Sequence, residues 1–257
     1  MYPVILHIYG PIAIQSYGLC ILIGLAIFFY FCHKRVVERK LATSDQIYSI
    51  VGICIAAALV GGKIVHIISE WKDYEHWYDC FAIWDGGFSI LGSMIAVFLY
   101  VPYYLYTHGI PIISLFDTAA LYVALLHAFG RIGCFCAGCC HGTITQSILS
   151  ITYTHPESRA LLGAPLHPTQ LYSSLIFFGI FIILRFIAPR WCTHPGQMAL
   201  LYLILASCER FLLDFIRYDR TMIGFLSFHQ WLAVSIAIIA LVGFIYSSHR
   251  KSALSTL

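Results

Sequence analysis

Seven stretches of this chain are apolar over nearly the length a helix needs to cross a lipid bilayer, and that leaves few folds open. A spanning helix takes about 20 mostly apolar residues. The stretches lie near Ser16–Cys32, Ile47–Ile68, Phe88–Leu105, Ile112–Arg131, Thr169–Ile187, Met198–Ile216 and Gly224–Ser247. None offers the polar face that a helix on the surface of a soluble domain turns to water. Charged residues make up 11% of the chain, where soluble domains carry roughly 25%. In lipid every backbone polar group must be satisfied within the protein, so runs of this length predict helices. The expected class is an all-α, polytopic membrane protein with about seven transmembrane helices.

Loop charge sets the expected orientation, because Lys and Arg accumulate on the cytoplasmic side. The first loop, His33–Lys40, carries Lys34, Arg35, Arg39 and Lys40 against Glu38. The second, Ser69–Gly87, carries Glu70, Asp73, Glu75, Asp79 and Asp85 against Lys72. Seven spans with the N-terminus outside and the C-terminus cytoplasmic satisfy both, and place Arg185, Arg190, Arg250 and Lys251 inside. Met1–His7 lacks the basic region and cleavage site of a removable signal peptide, so the first helix is expected to be retained. Trp71, Trp77, Trp84, Trp191 and Trp231 fall near helix ends, as an interfacial belt would. No linker or repeat divides the chain. Residues 1–257 read as one integral-membrane domain, with 134–168 as a small extracytoplasmic loop region rich in Gly, Cys, Ser, Thr and His.

Inside this apolar frame three cations stand out. Lys63, Arg131 and Arg210 come from different helices, yet the topology sets them at a similar depth near the outer face. A charge within a spanning helix costs about 2.5–3.5 kcal/mol on insertion scales and marks a functional position. Three at one depth predict a pocket for an anion inside the membrane, and a phospholipid phosphate is the obvious one. Arginine suits the task because its planar fork meets two phosphate oxygens at once. Arg210, Asp214 and Arg217 share a stripe at i, i+4 and i+7, where Arg217, like Arg220, reads as a helix-end ion pair or a snorkelling side chain. His127 lies four residues before Arg131 on the same face, with a hydrogen-bonded packing role as the competing reading.

Several segments, in order, then match a family. Gly130-Arg131-Ile132-Gly133-Cys134-Phe135 resembles the glycine-arginine signature of the prolipoprotein diacylglyceryl transferases. Tyr17-Gly18 resembles that family's N-terminal motif, Trp84-Asp85-Gly86-Gly87-Phe88-Ser89 its tryptophan-acid-glycine-glycine motif, and His167-Pro168-Thr169-Gln170-Leu171-Tyr172 its histidine-proline block. Arg210 to Arg217 is similar to its late arginine block, with Gln230-Trp231 following. The resemblance implies a multi-pass enzyme of the bacterial inner membrane. Such an enzyme moves a diacylglyceryl group from phosphatidylglycerol to the lipobox cysteine thiol of a prolipoprotein signal peptide, forming a thioether and releasing glycerol phosphate. It implies that Arg131 and Arg210 bind the head group and that Tyr17 orients lipid or cysteine. Lys63 would add charge, and Gln170 and Asp214 would support the arginines. No cofactor, no metal and no nucleic-acid partner are expected.

The departures are as informative. A family histidine is replaced by Leu91, the signature's asparagine by Cys134, its glutamate by Cys139, and an arginine by Lys63. A free thiol titrates near pH 8.5 and nearby arginines raise its thiolate fraction, so a base is helpful without being obligatory. His141, beside the signature, is the expected acceptor of the thiol proton, with His127 second. Cys134, Cys136, Cys139, Cys140 and His141 lie within eight residues. They read first as a disulfide (Cys80 being a possible partner) or packing, then as a metal site, and last as a catalytic thiol. A family member with another acceptor is the enzymatic alternative. A transporter, or a metal-binding membrane protein, is the non-enzymatic one; repeated halves and midplane charges would mark the transporter.

Overall fold

A computed structural model describes residues 2–9, 12–71 and 89–249. Its seven helices follow the apolar runs: α1 Ser16–Glu38, α2 Ser44–Ser69, α3 Ile90–Thr107, α4 Ile112–Ala137, α5 Thr169–Ile182, α6 Gln197–Asp214 and α7 Phe228–His249. A π-helical turn, Ile183–Ile187, and a 3-10 turn, Ala188–Arg190, extend α5. Five of these helices (α1, α2, α4, extended α5 and α7) are long and apolar enough to cross a bilayer. The apolar part of α3 is shorter, and α6 carries Glu209, Arg210 and Asp214 within 18 residues. Large apolar side chains face outward: Leu22 is 63% exposed, Phe98 66% and Ile239 72%. That is costly in water and favourable against lipid tails. The chain has the exterior of a multi-pass membrane protein.

Three departures from the sequence reading matter. Helix α4 continues through Cys134 to Ala137 rather than ending at Arg131. Helix α6 stops at Asp214, so Arg217 leaves the expected stripe. Short strands accompany the helices. Strands β1 (Val4–Tyr9) and β2 (Ile12–Gln15) form an antiparallel hairpin, β3 (Ile151–Thr152) pairs with β4 (Pro165–Leu166), and β5 (Met222–Ile223) with β6 (Leu226–Ser227). The expected positions Trp77, Cys80, Trp84 to Phe88, Arg250 and Lys251 lie outside the described residues.

The chain divides into two compact units, Met1–Cys32 with Phe116–Leu257, and His33–Leu115. In the smaller unit α2 and α3 meet through glycine. A Cβ on Gly61 would stand 2.3 Å from Ala96 Cβ and 2.6 Å from the Gly92 carbonyl oxygen. That closeness lets Ser93 Oγ donate to the Ala58 carbonyl at 2.7 Å, the small-residue packing that membrane helices favour.

In the larger unit α4 supplies Ala120, Ala124 and Ala128, one turn apart, to Phe177, Ile180 and Leu184 of α5 and Tyr202 of α6. Ser174 Oγ donates to the Ala128 carbonyl at 3.0 Å. Asp117 caps α6 from α4, its carboxylate accepting from Gly196 N at 2.6 Å and Ala199 N at 2.8 Å. On another face α4 meets the start of α1: a Cβ on Gly133 would lie 3.1 Å from Cys20 Cβ and 3.2 Å from the Tyr17 carbonyl oxygen. The glycines of Gly130-Arg131-Ile132-Gly133 are therefore a close helix crossing that brings Arg131 to the first turn of α1.

Candidate active site

Where α1, α4, α5 and α6 of the larger unit come together they line an open cavity of about 520 Å³. Arg131 and Cys134 reach it from α4, Arg210 and Glu209 from α6, and Tyr17 from α1; His127 and Phe177 form part of its wall. Its volume lies in the range of small-molecule sites. Two arginines 79 positions apart in sequence thus share one apolar-walled space with the tyrosine. The α1–α4 glycine crossing sets one side of it, and Phe177 of α5 with Ala206 of α6 forms part of another.

The two arginines differ in how they are held. Arg210 Nη2 lies 3.6 Å from Asp214 Oδ1, and Arg220 Nε lies 3.6 Å from Asp214 Oδ2. Asp214 is fully buried and also accepts from Ser227 Oγ. A buried carboxylate between two cations fixes Arg210 at the cavity edge. Arg131 has no ion pair among the described residues. Glu209 sits beside both, buried at 4% exposure, accepting from Ser173 Oγ, with Arg131, Arg210 and Arg217 all acting on its carboxylate. The sequence reading gave Glu209 no role. Its signal was present, since an acid next to Arg210 within an apolar helix needs a partner.

His127, in the cavity wall, places Nδ1 2.8 Å from Tyr202 Oη, with its ring edge-on to Phe177 at 4.9 Å. His141 is buried, lines neither described cavity, and places Nδ1 3.0 Å from the Gly142 carbonyl, which selects the Nδ1–H tautomer. Gln170, also buried, donates to the Cys139 carbonyl at 2.7 Å and to Tyr153 Oη at 3.2 Å. It clamps the loop after α4 rather than touching Arg131 or Arg210. Burial pushes the Tyr153 phenol up to about 12. Lys63 belongs to the smaller unit, half-buried on α2.

Cys139 and Cys140 turn back onto Cys134, so that the three sulfurs lie within 4.8 Å of one another. The turn uses left-handed backbone at Gly138, φ +76°, and at Cys140, φ +61°. Cys136, three residues before Cys139, is outside this group and meets Cys20. The segment Ile216–Tyr218 runs against residues 141–143, with Thr143 N donating to the Ile216 carbonyl at 2.9 Å. This carries Arg217 onto the sulfurs. Hydrogen bonds with Cys134 and Cys139, then with Arg217, hold the Cys140 thiol well below the usual range, and the same shared bonds push Cys139 up. A second cavity of about 450 Å³ opens on this cluster and shares Tyr17 and Cys134 with the first.

Comparison with known proteins agrees with the motif order. The family model described as prolipoprotein diacylglyceryl transferase matches residues 3–246. The chain is 32% identical over 244 residues to a phosphatidylglycerol–prolipoprotein diacylglyceryl transferase of Streptococcus agalactiae serotype Ia, covering 94% of this chain and 95% of the relative. It is 32% identical over 250 residues to the protein of that name from Streptococcus equi subsp. equi, covering 96% and 95%. To the one from Clostridium tetani it is 30% identical over 252 residues, covering 98% and 100%.

Proposed function

We propose, for a chain that belongs to the prolipoprotein diacylglyceryl transferase family, that it transfers the diacylglyceryl group of phosphatidylglycerol to a prolipoprotein, with Arg131 and Arg210 holding the lipid phosphate. The acceptor is the lipobox cysteine of the signal peptide. Its sulfur forms a bond to the glyceryl carbon as the bond from that carbon to the phosphate oxygen breaks. Glycerol phosphate leaves with the electron pair and the thiol proton passes to a base. Negative charge grows on the departing phosphate, and fixed guanidinium groups in an apolar cavity stabilise it most at that moment. The observation that carries the reading is the shared cavity of Arg131, Arg210 and Tyr17.

Tyr17 orients the lipid or the incoming cysteine at the cavity edge, and Asp214 is a positioning residue for Arg210. Gln170 acts at one remove, through the loop it clamps. Lys63 adds positive charge to lipid binding. The chain sits in the bacterial inner membrane as one seven-span domain, N-terminus outside and C-terminus cytoplasmic, with residues 134–168 on the extracytoplasmic side. His141 is one candidate for the thiol proton. Glu209 is a second, favoured by its place in the cavity itself, and Glu209→Gln against His141→Gln separates the two by which one displaces the acid limb of the pH–rate profile.

The test is transfer of labelled diacylglyceryl from phosphatidylglycerol vesicles to a lipobox peptide by the purified chain. Arg131→Ala is expected to lower the rate about 10²–10³-fold, as loss of one charge-stabilising donor does. Equal transfer by both proteins overturns the assignment.

A further inference from the structure

The cluster of cysteines at the end of α4 and in the turn that follows has no role in the transfer just described, yet its construction is specific. Cys134, Cys139 and Cys140 hold their sulfurs within 4.8 Å of one another. Some point lies within about 2.8 Å of all three such atoms, against a zinc–thiolate bond of about 2.3 Å, so a small contraction completes coordination. We propose that Cys134, Cys139 and Cys140 form a thiolate site for one thiophilic d10 cation, Zn(II) or Cu(I), beside the arginine cavity.

Four features of the molecule support a built site. The ligands sit on a clamped backbone: Thr169 Oγ1 donates to the Cys140 carbonyl at 2.8 Å and Gln170 Nε2 to the Cys139 carbonyl at 2.7 Å. Cys139 N closes the turn on the Cys134 carbonyl at 3.2 Å. Cys140 adopts φ +61°, a conformation that costs a non-glycine residue energy and persists only where the surroundings impose it. The second feature is charge. Three thiolates on Zn(II) or Cu(I) leave a net negative centre, and Arg217, only 8% exposed, is a buried cation whose charge acts on Cys140. Its Nε is buried without a hydrogen-bond partner, which leaves this cation a donor to spare for an outer-shell contact. The third is ligand softness: three thiolates select Zn(II) and Cu(I) over harder ions. The last is access, since all three cysteines line the 450 Å³ cavity and are not sealed in a core.

Geometry also fixes which sulfur does not take part. The Cys-x-x-Cys spacing of 136 and 139 suggests a pair, but Cys136 meets Cys20 on another side of α4. The site is assembled from residues 134, 139 and 140, with the fourth position on zinc left to water.

The experiment uses the full chain in detergent, reduced and handled without oxygen. Zn(II) and Cu(I) are titrated separately against a competing chelator, and Co(II) reports thiolate ligation through its sulfur-to-metal charge-transfer absorption. The expected result is one cation per chain, with three-thiolate intensity, for at least one of the two metals; the relative affinities identify which. Cys134→Ser, Cys139→Ser and Cys140→Ser each lose more than ~100-fold in affinity, while Arg217→Gln loses about 10–100-fold, the range of an outer-shell partner. Cys136→Ser and Cys20→Ser bind as the parent does, which separates ligand loss from misfolding. Binding no tighter than in the triple serine variant overturns the proposal, and so does dependence on Cys136. Recovery of a Cys134–Cys139 disulfide from the anaerobic protein overturns it too.

Discussion

Replacing Asp214 by asparagine keeps the shape of a fully buried side chain and removes only its charge. The carboxylate lies 3.6 Å from Arg210 Nη2 and 3.6 Å from Arg220 Nε. At the effective dielectric of a protein site each pair contributes roughly 4–5 kcal/mol of Coulomb attraction. Burying the carboxylate cancels several kcal/mol of that, and breaking a buried pair nets about 3–5 kcal/mol. The two arginine side chains keep 23% and 25% exposure, so they regain some hydration when the partner is lost. The expected cost is therefore about 2–3 kcal/mol, below the fully buried case. For a chain of this size that is roughly 4–12 °C in melting temperature. Arg210 also loses its anchor at the cavity edge, so kcat/KM for the lipid falls about 10–100-fold, mainly through KM. Asp214→Glu restores charge and recovers part of both effects. The measurements are thermal unfolding in detergent and transfer kinetics resolved into kcat and KM. A melting point within about 1 °C of the parent, with transfer unchanged, refutes the view that this carboxylate fixes Arg210.

Three further outcomes follow from individual contacts. Asp117→Ala removes the carboxylate that caps α6 through Gly196 N and Ala199 N, and thermal unfolding should register a loss of about 1 kcal/mol. In Gly142→Ala the new Cβ would stand 2.6 Å from His167 Cβ and 2.7 Å from the Ile216 carbonyl oxygen. Overpacking there costs about 1–3 kcal/mol, read as faster proteolysis of the loop after α4. Burial raises the Tyr153 phenol from 10.0 to about 12. Stability supplied by the neutral phenol is complete below pH 10 and is lost as pH climbs through 12, so phenolate absorbance and unfolding should rise together in that window.

The helices were legible because a bilayer demands long apolar runs, and even α6 reads as helix despite its three charges. The cavity was legible in part. Depth and charge singled out Lys63, Arg131 and Arg210; the two arginines line one space, and Lys63 belongs to the other unit. What the sequence reading lost, it lost at helix ends. Extending the i, i+4, i+7 stripe through Arg217 assumed that α6 continues, whereas the chain breaks at Asp214 and pairs with residues 141–143. An ordinary helix-end arginine thereby becomes a buried partner of Cys140. Likewise sequence proximity does not say which cysteines of the cluster meet: residues 134–137 still lie on a helix and the turn begins only at Gly138, so Cys134 joins Cys139 and Cys140. The β1–β2 hairpin has a signal in the sequence, apolar β-branched residues on either side of Gly10-Pro11. The two-residue strands of the 134–168 region carry no such pattern, and only long-range pairing defines them.

The unequal treatment of the two arginines says how the site is divided. Arg210 is held by a buried carboxylate that also serves Arg220, and it comes from the helix whose start Asp117 caps. A cation fixed in this way loses little side-chain freedom on binding, but part of its charge is already answered by Asp214. Arg131 is placed by the glycine crossing of α1 and α4 instead, and has no ion pair among the described residues. Its charge is the less neutralised of the two. A phosphate that gains charge on leaving is stabilised most by the cation with least opposing charge, while a resting lipid needs mainly a fixed point of attachment. The reading therefore assigns ground-state positioning to Arg210 and stabilisation of the departing phosphate to Arg131. In kinetic terms Arg131→Lys should fall mainly in kcat and Arg210→Lys mainly in KM for the lipid. Identical splits for both would mean that the asymmetry of their ion pairing has no catalytic consequence.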